Sequence, residues 1–80
     1  MNTYKVHVFH YNQYRAYEND KALQRARNCP VKGTWTLEEL RQKNAAFRPL
    51  SEESLVPNLE VRLYHPDQGL YAVILEVNPE

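Results

Sequence analysis

Between Leu59 and Val77 the chain reads LEVRLYHPDQGLYAVILEV, two apolar-rich runs of strand character on either side of one turn signal. Few folds accommodate such a segment. In Pro66-Asp67-Gln68-Gly69 the proline presets φ at the first position, aspartate suits the second, and glycine supplies a positive φ at the last. This predicts a β-hairpin closed by a four-residue loop. With His65 facing Leu70, the cross-strand pairs become Tyr64 with Tyr71, Leu63 with Ala72, Arg62 with Val73, Val61 with Ile74 and Glu60 with Leu75. One face then carries Leu59, Val61, Leu63, Leu70, Ala72 and Ile74; the other carries Glu60, Arg62, Tyr64, Tyr71, Val73 and Leu75. An apolar sheet face is stable only beneath another layer, so helices are expected over the first of these.

The length of 80 residues leaves room for one domain with a small core, close to the lower limit for folding without disulfides or metals. Ten basic residues balance ten acidic ones, so no global field draws the chain to nucleic acid or to an anionic membrane. A single cysteine, Cys29, excludes an internal disulfide framework and points to a reducing compartment. The start MNTYKVHVFHY has the form of neither a signal peptide nor a membrane span, which makes the cytoplasm the expected location. Two glycines and no low-complexity tract argue against a linker or a repeat. Six tyrosines stand out, since tyrosine can close a small core from its rim or furnish a contact surface.

Along the chain, TYKVHVFHY (residues 3–11) alternates in the strand manner, with Tyr4, Val6, Val8 and His10 on one side and Lys5, His7, Phe9 and Tyr11 on the other; both sides are partly apolar, so alternation alone does not choose the core face. Asn12-Gln13 separates it from residues 14–18, a short run that reads as a second strand folding back, or alternatively as the start of a helix near Gln13. Asn19 is a good N-cap, and Ala22, Leu23, Ala26 and Cys29 recur at helical spacing until Pro30 stops the helix. Val31 to Trp35 reads as a connection. Thr36-Leu37-Glu38-Glu39 has the form of a capping box, opening a second helix over about residues 37–46 with Leu37, Leu40 and Asn44 on one stripe, Trp35 stapled against Leu40 and Phe47 anchoring its end. Ser51 to Leu55 is expected to form one helical turn that tucks Leu50, Leu55 and Val56 against the sheet, and Asn78 to Glu80 a frayed end. The order is β, (β), α, α, β, β. An α+β single domain follows, an antiparallel sheet of three or four strands with both helices on one face.

Chemistry-bearing residues are sparse. His7, His10, His65 and Cys29 are the metal-ligand types beyond carboxylates, but strand residues three apart point to opposite faces, so His7 and His10 do not chelate one ion. They read as surface and rim histidines. Cys29 lies at a helix C-terminus, where the negative end of the dipole disfavours a thiolate, and reads as a buried structural residue. The chain lacks a glycine-rich phosphate loop, a His-Glu-x-x-His helix and a serine elbow. Glu38, Glu39, Glu52 and Glu53 follow from helix N-terminal preference. No enzymatic activity, cofactor or metal is expected.

What is left is the sheet face turned away from the helices, where His7, Phe9, Tyr11, Arg62, Tyr64 and Tyr71 gather beside Lys5, Val73 and Leu75. Its bland explanation is that another part of the chain covers it and makes the core two-sided. Tyrosine and arginine with few lysines is, however, the composition of a protein interface, for a partner or a homodimer mate. Stacking of single-stranded bases on the same rings is the alternative, with only Lys5, Arg15 and Arg62 to neutralise phosphates. The reading is therefore a small non-enzymatic accessory or inhibitor module that binds a protein, a size class in which phages and other mobile elements encode many chains.

Overall fold

The computed structural model describes residues 1–11, 20–66 and 69–79, and for 20–23 the backbone alone. Its elements are β1 (Thr3–His10), α1 (Asp20–Arg27), β2 (Gly33–Thr36), α2 (Leu37–Lys43), two 3-10 turns (Ala45–Phe47 and Glu52–Ser54), β3 (Glu60–Arg62) and β4 (Leu70–Asn78). The strands form one antiparallel sheet in the order β2-β1-β4-β3, which makes the α+β class expected above the observed one. The second observed strand is β2, between the helices. Residues expected to form only a connection, Gly33 to Trp35, instead pair Val6 with Gly33, Lys5 with Thr34 and Tyr4 with Trp35. Tertiary contacts explain the difference. Trp35 donates its indole N–H to the Val31 carbonyl at 2.8 Å, its ring lies 3.7 Å from the Lys43 ammonium, and it folds back over Gly33, whose φ of +145° suits glycine alone. The Asn12-Gln13 turn, the 14–18 strand or helix, the Asn19 cap and the side chains of Ala22 and Leu23 lie outside the described residues.

The core forms where the inward faces meet. Tyr4, Val6 and Val8 of β1, Val61 and Leu63 at β3, and Leu70, Ala72 and Ile74 of β4 are buried in one cluster with Ala26, Cys29, Val31, Leu37, Leu40, Phe47 and Leu55 from the helical layer. His10 continues the inward series in which alternation places it and is buried, so it is not one of the surface and rim histidines expected above. The Tyr4 hydroxyl is buried with no hydrogen-bond partner among the described residues, a cost on the order of 1–3 kcal/mol that the ring's burial offsets.

The capping box opens α2 as its spacing requires: Glu39 N–H donates to Thr36 Oγ1 at 3.2 Å and Thr36 N–H to Glu39 Oε1 at 3.1 Å. The helix ends at Lys43 instead of near residue 46, because Asn44 turns extended (φ −153°, ψ 134°) and caps the following 3-10 turn by accepting from Ala46 N–H. The turn at Glu52–Ser54 is present and Leu55 is buried, but Val56 is exposed and does not reach the core.

The hairpin forms with its inward and outward faces as expected, but its register is shifted by two residues. Glu60 pairs with Val73, Val61 with Ala72 and Arg62 with Tyr71, and Leu63 N–H donates to the Leu70 carbonyl at 2.9 Å. Tyr64 therefore does not face Tyr71. It lies beyond the last residue of β3, and the expected turn at Pro66 to Gly69 includes Asp67 and Gln68, which lie outside the described residues. A shift of two preserves which side chains point inward, which is why burial along the strands still follows the pattern. In β4, Lys5 pairs with Glu76 but Val6 with Ile74, so Leu75 is the extra residue of a bulge. The bulge resets the alternation, turning Leu75 and Glu76 outward and Val77 back toward the core. Asn78 pairs with Thr3, so the strand extends into the segment expected to fray.

Candidate functional site

The six aromatic and charged residues singled out above come from three adjacent strands and the loops that leave them. Cross-strand pairing sets Phe9 opposite Tyr71 and Tyr71 opposite Arg62, one row across β1, β4 and β3. The next row sets His7 opposite Val73 and Val73 opposite Glu60. In the first row the Phe9 and Tyr71 rings stack with centroids 5.4 Å apart and planes 18° apart. Phe9 is only 8% exposed and Tyr71 half-buried, so this pair forms a floor and Phe9 is not the exposed ring that alternation suggests. His7 and Arg62 are exposed beside it.

Two side chains project further. Tyr11 follows β1, is 45% exposed and stacks on His10 with centroids 4.8 Å apart. Its N–H donates to the Gly69 carbonyl at 3.0 Å, and its ring occupies the space that a Cβ on Gly69 would need. Gly69 has φ +96°, so neither its conformation nor its neighbour tolerates a side chain. Tyr64 is 73% exposed, the most open tyrosine described. Two shallow depressions mark the surface: one of about 260 Å³ lined by Phe9, Tyr11, Glu60 and Tyr71, the other of about 350 Å³ lined by Arg62, Leu63, Tyr64 and His65.

Sequence reasoning missed the residue that positions Tyr64. Asn44 Oδ1 accepts from Tyr64 N–H at 3.1 Å while Asn44 Nδ2 donates to the Tyr64 carbonyl at 2.9 Å, a two-point clamp across 20 residues of sequence. The same Oδ1 caps the 3-10 turn. The clamp holds the two Tyr64 backbone groups that point away from β4. An asparagine after a helix signals a cap, but nothing local signals a partner so far along the chain. Asn44→Ala is expected to cost about 1–2 kcal/mol, as three hydrogen bonds that are mostly solvent-exposed are lost. Urea unfolding measures the loss, and faster amide hydrogen exchange at Tyr64 locates it; an unchanged Tyr64 amide would contradict the clamp.

Among the described residues no three His, Cys, Asp or Glu side chains converge as a metal would need, and Cys29 is buried with a free thiol. No helix among them is long and apolar enough to cross a membrane. Comparison with protein-family models, curated proteins and solved structures finds no match to the chain.

Proposed function

We propose that the chain is a small non-enzymatic accessory or inhibitor module of the cytoplasm that binds a protein partner through the outer sheet face. Tyr64 is the anchor, Arg62, His7 and Tyr11 are the other projecting side chains of the face, and the Phe9–Tyr71 stack is its floor. The observation that carries this reading is Tyr64 itself, a tyrosine 73% exposed on a backbone held at two points by Asn44. Ordering the segment in advance removes part of the entropy cost of association, and tyrosine and arginine are the side chains on which binding energy concentrates. With ten acidic against ten basic residues, the chain has no net field to hold phosphates, which favours a protein over a single-stranded nucleic acid.

Tyr64→Ser tests the reading. The substitution is expected to abolish capture of a partner by the immobilised chain while leaving the melting temperature within about 2 °C of the parent, since an exposed side chain contributes little to folding. Capture that survives nuclease and depends weakly on salt supports a protein partner. Capture lost to nuclease, with a steep salt dependence, would replace this reading by the base-stacking one. Full retention of capture by Tyr64→Ser would refute the role of the face.

A further inference from the structure

The outer edge of β3 carries hydrogen-bonding groups of known direction. Ile74 N–H donates to the Leu59 carbonyl at 3.0 Å and Leu63 N–H to the Leu70 carbonyl, so within β3 the odd residue Val61, between these bonds, turns its backbone toward β4; before the strand, Leu59 N–H turns back to the Val56 carbonyl and Asn58 N–H reaches the Ile74 carbonyl. The even residues of β3, Glu60 and Arg62, must turn theirs away. At Tyr64 both outward groups are met by Asn44. At Glu60 and Arg62 the two N–H and two C=O groups are left without partners among the described residues, on the last strand of the sheet. This open stretch is bounded by the Asn44 clamp at one end and at the other by Asn58, whose φ of +70° takes the chain out of extended geometry.

We propose that two copies of the chain pair through this edge, their β3 strands antiparallel about a two-fold axis at Val61. In that register Glu60 of one copy faces Arg62 of the other, and the pair recurs on the far side of the axis. The four outward backbone groups of each copy are then all bonded, since residues whose groups point outward meet residues of the same kind. Both side chains are exposed and on the outer face, and cross-strand neighbours of opposite charge stabilise an antiparallel pair. The occupant is identified by complementarity: Glu-Val-Arg read against itself places opposite charges together twice, which a strand of arbitrary sequence does not. The contact is isologous, so it closes at two copies, and the Asn44 clamp limits the length of the ladder. It would join two sheets into one of eight strands with both aromatic faces on the same side. The dimer does not depend on what the aromatic face binds.

Charge reversal decides it. Sedimentation of the parent chain is expected to show a reversible monomer–dimer equilibrium. Glu60→Arg or Arg62→Glu alone, each placing like charges together twice, is expected to weaken it by about tenfold or more. The double variant Glu60→Arg/Arg62→Glu is expected to restore it. Amide exchange at Glu60 and Arg62 should slow as concentration rises and be fast on dilution. A chain that stays monomeric at its solubility limit overturns the proposal. So does dimerisation indifferent to both single reversals, or protection of the two amides in the monomer, which would mean that another segment of the chain covers the edge. Partner capture through Tyr64 is scored separately, so either result stands without the other.

Discussion

Phe47→Ala is expected to remove about 3–5 kcal/mol of stability, the range for deleting a buried phenylalanine whose cavity only partly collapses. Phe47 is fully buried, and it stands on a three-residue turn that joins α2 to the segment leading into β3. Its ring belongs to the same buried cluster as the helical and strand residues of the core. A domain of 80 residues has on the order of 4–12 kcal/mol in total, so the variant is expected to be unfolded or close to it at 37 °C. Phe47→Leu, which keeps most of the volume, is expected to cost about half as much or less. Urea unfolding of both variants is the check, and a loss under about 1 kcal/mol for Phe47→Ala would mean that the ring does not occupy the core.

The second large effect separates two neighbours in β4. Ile74 is fully buried and pairs with Val6, whereas Leu75, the extra residue of the bulge, is 45% exposed. Ile74→Ala is expected to cost about 2–4 kcal/mol and Leu75→Ala less than about 1 kcal/mol, though both remove comparable apolar volume. Alternation turns Leu75 outward, and the bulge keeps the next residue outward as well. Regular alternation from Ile74 would bring Glu76 to the inward position, where a carboxylate without a partner is costly. One extra residue instead returns Val77 to that position. Equal costs for the two alanine variants would mean that Leu75 is buried like Ile74 and would overturn its outward placement.

How much of this was legible depends on how local each determinant is. The capping box at Thr36 and Glu39, the inward residues of β4 and the turn at Glu52 follow from spacing and side-chain chemistry within a few residues, and all three appear in the fold, whereas the inward face of β1, apolar on both sides, was not chosen by alternation alone. The outer aromatic group was legible as a set, because a period of two places His7, Phe9 and Tyr11 together. Its division into a stacked floor and projecting side chains was not, since that depends on which residue of β4 faces Phe9 and thus on a register that turn chemistry misjudged by two. The strand at Gly33 to Thr36 was illegible for another reason: four residues with one glycine carry no periodicity, and pairing with Tyr4 and Val6 makes them a strand.

By itself the sequence determined the class of this protein and the inward set of its hairpin strands. Both depend on the alternation of apolar and polar residues, which survives an even shift of register, and on caps whose donors and acceptors lie within one turn of each other. Only the tertiary structure decided the strand order, the place of β2, the bulge at Leu75 and the exposure of Tyr64. Each of these rests on contacts between residues far apart in the chain, such as Asn44 with Tyr64 and Lys5 with Glu76. Such contacts become favourable only once the chain has already closed the loops between them, and no nearest-neighbour preference encodes that closure.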